Sequence, residues 1–132
     1  MQNFEYLIHN SLLRMDTAWW ASKLGIPNNE IILCTAPNAP QLFCLTFRHF
    51  FHISCSLLIS ISFDKIETVE YKNKNIRIVV EGGKEYTYAI ESLAITNEDE
   101  SVYAKLGESI VSVITELKQI SIYGKNNIKQ VP

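Results

Sequence analysis

Cys44, His49, His52 and Cys55 form the chain's one cluster of side chains of metal-ligand type. A zinc site asks for two ligands held two to four residues apart on a turn, twice over. Here His49 and His52 fall within an extended apolar stretch, and on a strand an interval of three points two side chains to opposite faces. The cysteines read as core residues, because a free cysteine is among the most buried residue types. Covalent catalysis needs an activated serine or cysteine beside a histidine and an orienting acid. Serines are plentiful, yet none sits in a glycine-flanked nucleophile elbow. His9 falls beside the apolar stripe of a predicted helix and reads as a boundary residue. Gly82-Gly83 joins two strands and precedes no helix, so it reads as a hairpin turn and not as a phosphate loop. The expectation is no catalytic residue, no metal and no cofactor: a chain that is not an enzyme.

Two other groups of residues suit binding. Lys72, Lys74, Arg77 and Lys84 place positive charge at strand ends and turns, where an anionic partner or a membrane surface could make a weak contact. They are interleaved with Glu67, Glu70, Glu81 and Glu85, so together with Lys65 they also read as a mixed-charge surface that discourages edge pairing. A platform for single-stranded nucleic acid would need exposed rings among those lysines. Tyr71, Tyr86 and Tyr88 fall on the alternating dry face instead, and no nucleic-acid partner is expected. Trp19 and Trp20 are neighbours, so on a helix they point about 100° apart and one of them must lie at the edge of the apolar stripe. Both are candidates for a partner contact, where tryptophan is enriched.

These residues sit in 132, the size of one domain, and 47% hydrophobic content suffices for one core. With 12 basic against 14 acidic residues, neither a disordered acidic chain nor a basic nucleic-acid binder is suggested. The first residues lack the basic patch and apolar run of a secretory signal. The most apolar region, Leu42 to Phe63, is broken by Arg48, His49 and His52 and falls short of a membrane span. Three cysteines without paired short spacing fit a reducing compartment, and the expected location is cytoplasmic.

The elements follow from periodicity. Phe4, Ile8, Leu12, Met15 and Trp19 recur at three or four and predict one helix from about Asn3 to Leu24, within a helical segment 1–25 that Gly25 and Pro27 close. Strands occupy 29–95. Glu30 to Thr35 begins them, Ala36 to Pro40 is a loop, and the reversal inside Gln41 to Ser54 falls at Thr46-Phe47-Arg48-His49. Four alternating runs follow, on Leu57-Ile59-Ile61-Phe63, Glu67-Val69-Tyr71, Ile76-Ile78-Val80 and Tyr86-Tyr88-Ile90. Short turns at Asp64-Lys65, Lys72 to Asn75 and Gly82-Gly83 predict antiparallel hairpins throughout, a meander. Asn97, ahead of Glu98, Asp99 and Glu100, caps a helix over 97–120 with the stripe Val102, Leu106, Ile110, Val113 and Leu117. Gly107 inside it either weakens it or admits a close neighbour. Residues 124–132 read as a frayed tail.

Leu42-Phe43-Cys44-Leu45-Thr46, Phe50-Phe51-His52-Ile53-Ser54, Ile59 to Glu70, Ile76 to Val80 and Tyr86-Thr87-Tyr88 resemble bacterial pleckstrin-homology-like domains. The likeness spans roughly Asn29 to Lys118. It implies an α+β fold: a six- or seven-stranded antiparallel bent sheet or barrel closed by a C-terminal helix, here with an extra N-terminal helix. It also implies a non-catalytic binding module. Members that bind phosphoinositides use lysines and arginines around the first hairpin loop, whereas Ala36 to Gln41 carries no positive charge, so a protein partner is expected before a phosphoinositide. Two rivals remain: a small dimeric chaperone or immunity protein that masks a partner, and a small-molecule cone lined by the first helix with Tyr71, Tyr86 and Tyr88.

Overall fold

The structure is a computed structural model and describes residues 2–9, 16–39, 41–54, 56–93 and 100–130; of 2, 3 and 123–130 it describes the backbone only. In chain order the elements are α1 (Gln2–Ile8), α2 (Thr17–Leu24), β1 (Ile31–Cys34), β2 (Leu42–Thr46), β3 (His49–Ser54), β4 (Leu57–Ser62), β5 (Ile66–Lys72), β6 (Asn75–Val80), β7 (Glu85–Ala89) and α3 (Glu100–Gln130). The fold is α+β. Strands β1 to β4 form one antiparallel sheet in that order, and β5 to β7 form a second.

Where one face of a strand is wet, the alternation in sequence becomes alternation in burial. β6 buries Ile76, Ile78 and Val80; β7 buries Tyr86 and Tyr88. The turns obey local backbone chemistry. Gly82 and Gly83 have φ of 93° and 86°, the left-handed region a tight hairpin requires. Asn73 and Lys74 hold 53° and 62° in the β5–β6 turn, where a lysine is strained by about 1–2 kcal/mol. At the β2–β3 turn the Thr46 hydroxyl accepts from the amides of Arg48 and His49 at 3.2 and 3.0 Å and donates to the His49 carbonyl at 3.0 Å. The reversal predicted there is the one observed.

β1 breaks the alternation because it has cover on both sides. Ile32 and Leu33 join the main core; Ile31 and Cys34 join a second cluster with Trp20, Ala21 and Cys44 under α2. A register irregularity between Ile31 and Leu33 makes that split possible. Cys34 faces Cys44 across the two strands, both buried and neither in a disulfide.

The main core lies between the sheets, α1 and α3. From α3 it takes Tyr103, Leu106, Ile110, Val113, Ile114 and Leu117. Gly107 lies so close to β5 that a Cβ there would stand 2.2 Å from the Tyr71 ring. Of the two roles predicted for this glycine, close approach is the one realised. No described helix is long and apolar enough to cross a membrane.

Several expectations change. The single helix over 3–24, within segment 1–25, is two. α1 buries Phe4 and Leu7 in the main core, whereas α2 buries Thr17, Trp20 and Ala21 against the other side of β1. One straight helix cannot serve both places. The stripe therefore centres on Leu7 and Trp20, with Ile8 half-buried against the main core and Trp19 exposed, while Leu12 and Met15 lie outside the described residues. β4 and β5 do not form a hairpin. Phe63 is buried and pulls Phe63–Lys65 into a 3-10 turn that carries the chain from one sheet to the other. The sheets are consequently not closed into a barrel. Finally, α3 continues past 120 and through Gly124 to Gln130, so 124–130 is helical and not a frayed tail. A glycine costs a helix interior only about 1 kcal/mol. The predicted Asn97 cap lies outside the described residues.

Candidate functional site: an apolar row at the free edge of the first sheet

Trp19 and Trp20 leave α2 in different directions. Trp20 is fully buried and its Nε1 donates to the Thr35 carbonyl at 2.8 Å, which fastens α2 to the end of β1. Trp19 remains 39% exposed. Its ring meets Trp20 edge-on with centroids 5.2 Å apart, and the Lys23 ammonium lies 6.0 Å from its centre. Gly25, with φ of 69°, then ends the helix as a left-handed cap.

From Trp19 the apolar surface continues over the outer face of the first sheet. Leu42 of β2 stands beside Ile53 of β3, and Ile53 beside Leu58 of β4. Direct cross-strand partners share a face, so these three form a row. Leu42 and Ile53 are half-buried, but Leu58 is 42% exposed, and Leu57 next to it is 64% exposed. The row ends at β4, which has β3 on one side and no strand on the other among the described residues. The strand reads Leu-Leu-Ile-Ser-Ile-Ser and pairs with β3 without irregularity. It has no charge, proline or bulge, the usual guards of a sheet edge.

Hollows accompany this edge. One of about 520 Å³ is bordered by Trp19, Lys23, Gln41, Leu42, His52 and Ile53. A second, of about 490 Å³, shares Gln41, His52 and Ser54 with it and lies between Leu57 and Ile59 of β4 and the Lys84–Thr87 stretch. A third, of about 400 Å³, sets Ser60, Ile61 and Ser62 against Val80, Glu81 and Gly82.

His52 lies where the first two meet and is 8% exposed. Its Nδ1 is 2.5 Å from the Tyr88 hydroxyl, and its ring lies 4.7 Å from that of Tyr86. Burial, and secondarily the charge of Lys84, lowers its pKa below 6.5. Burial, with Tyr86 adding to it, holds the Tyr88 hydroxyl well above the ordinary phenol range. A neutral phenol donating to Nδ1 leaves the imidazole proton on Nε2. His49, by contrast, lies on the other face of β3, half-buried against Phe51, so the interval of three separates the histidines as expected. Cys55 lies outside the described residues.

The basic candidates are dispersed. Arg77 binds Glu70 at 3.0 Å and also Glu85, whose carboxyl that hydrogen bond holds below its usual range. Lys74 is 3.8 Å from Glu100 and lies over Tyr103. Lys72 and Lys74 sit at the β5–β6 turn, Lys84 at the opposite end of β6. Of the six predicted residues, Trp19 and Lys84 border the hollows, Trp20 anchors α2, and Lys72, Lys74 and Arg77 lie elsewhere. The tyrosines part likewise: Tyr88 is packed on Phe43, Tyr86 borders the second hollow, and Tyr71 lies beneath α3.

Sequence reasoning missed Lys23, Leu58 and His52. The doublet Leu57-Leu58, which places apolar side chains on both faces of one strand, was the available signal for Leu58. The His52–Tyr88 contact joins residues 36 apart and leaves no trace in local pattern. Comparison with protein-family models, with curated proteins and with solved structures yields no match.

Proposed function

We propose that this chain is a binding module of pleckstrin-homology-like type that recognises a protein partner through the outer face and free edge of its first sheet. The observation that carries this reading is the row Trp19, Leu42, Ile53 and Leu58, left partly in water and running out to an unpaired strand. Scattered exposed apolar residues are ordinary, whereas a continuous row marks a contact surface. The architecture supports the type as far as seven antiparallel strands followed by a terminal helix laid over β5. A membrane surface is the weaker partner, because the cations that would meet lipid phosphates are dispersed and Arg77 is held by two carboxylates.

The test immobilises the full chain and a Leu58→Asp variant, and passes over each the soluble fraction of the producing cells and, separately, phosphatidylserine vesicles. Wild type should retain a soluble protein that the variant releases, and neither should retain vesicles. Identical retention by both, or retention of vesicles alone, sinks the reading.

A further inference from the structure

We propose that the free edge of β4 receives an extended, acidic and apolar segment of the partner, which joins the first sheet as a fifth strand. This rests on the protein-binding reading above and specifies the kind of partner. The backbone groups on the outer side of β4 meet no strand among the described residues. An added strand satisfies such groups with main-chain hydrogen bonds and leaves selectivity to alternate side chains.

The second sheet provides the contrast. One of its two edge strands, β5, carries Glu67, Glu70 and Lys72, has an irregular register near Ile66, and lies under α3, whose Lys118 ammonium donates to the Glu67 carbonyl at 3.3 Å. That edge is guarded and covered. β4 has neither protection, and a separate hollow flanks it at each end, one at Leu57 and Ile59 and another at Ser60, Ile61 and Ser62. Six residues of strand span about 20 Å, enough to hold a segment of similar length in register.

Charge selects the occupant. Across the hollow Glu85 shares Arg77 with Glu70, and Glu81 lies 3.4 Å from Lys65. Lys84 and Lys23 meet no carboxylate among the described residues. Three cations, Lys84, Lys23 and Arg77, therefore stand against two carboxylates, Glu85 and Glu70, near the Leu57 end, and an aspartate or glutamate of the incoming segment answers the surplus. Apolar side chains at alternate positions would meet Ile59 and Tyr86 on the inner side and Leu58 on the outer. A second copy of this chain suits the edge less well, since its own β4 carries no acid and its Lys84 would enter the same space.

A random peptide library displayed on phage and selected against the full chain supplies the probe; the dominant peptide is synthesised and labelled. Selected sequences should alternate apolar residues and carry acid at one end, and the bound peptide should slow amide exchange along β4. Leu58→Asp and Lys84→Glu should each weaken its binding by about tenfold or more while leaving the melting temperature unchanged. A lysine-for-acid peptide should recover affinity for Lys84→Glu. Peptides with helical spacing, or protection elsewhere, overturn strand addition and leave the broader protein-binding reading intact. A library that yields no peptide also overturns it, as does a dimer in which β4 is already protected; the broader reading is decided by the retention experiment.

Discussion

The two sheets bury their residues by different rules. In the first, burial declines strand by strand: β1 is buried throughout, β2 nearly so, β3 in alternation, and β4 only at Ile61. In the second, β6 and β7 alternate along their whole length. Composition does not explain this, because β4 is free of charge whereas β6 contains Arg77. Cover explains it. α2 covers the outer face of the first sheet at β1 and Cys44 of β2, with Leu42, Phe51 and Ile53 only partly buried at the margin, while α3 lies along β5 and closes the core from that side. An apolar strand at the unroofed margin of a sheet is thereby left for something else to meet.

The comparison can be broken most forcefully at Trp20. If α2 is what buries β1 on its outer side, Trp20→Ala should cost about 3–5 kcal/mol of stability in urea unfolding; a cost near zero would show that cover is not the cause. On the second sheet, Gly107→Ala should cost roughly 1–3 kcal/mol by driving a methyl into Tyr71. Adding Tyr71→Ala should remove that clash, so the double variant loses less than the two single losses combined. Lys74→Gly should gain about 1 kcal/mol by relieving the left-handed turn, read as a raised melting temperature. The doubly substituted edge, Leu57→Asp with Leu58→Asp, should change stability by no more than about 0.5 kcal/mol. Loss of folding there would mean that β4 is part of the core after all.

The smallest effect is electrostatic. Lys84 is the lesser of the two causes that depress His52, so Lys84→Ala should move the ring titration, followed by proton NMR, only partway back toward 6.5. The sign for stability follows from proton uptake. The unfolded ring gains its proton first as pH falls below 6.5, so a penalty on the fold grows from there down to the lower folded value and then levels off. His52→Gln should flatten that decline in a pH series of urea midpoints.

What was legible in the sequence was whatever depends on near neighbours. The alternation of β6 and β7, the Thr46–His49 reversal and the glycine turn all follow from local pattern, whereas Gly107 left two roles open until Tyr71, 36 positions away, was seen against it. The tryptophan pair was read correctly as one ring in and one at the edge, but the apolar stripe was drawn through the wrong one, because a single helical phase was extended across two helices. Asp64-Lys65 has turn chemistry, yet the same residues serve a corner between sheets once Phe63 is drawn inward. Periodicity told that β4 was a strand and could not tell that it was an edge, since edge or centre depends on where the other strands lie. The hollows by His52 were illegible for the same reason: their walls come from β3, β4 and β7, brought together only by the fold.

The position of α3 also has a consequence in time. Chains emerge from the ribosome at about 5–20 residues per second, so both sheets are made before the six side chains from Tyr103 to Leu117 that fill their common interior. For an interval on the order of seconds the nascent strands hold an apolar face with no lid. During it, the open interior between the two sheets is the surface a chaperone would need to cover.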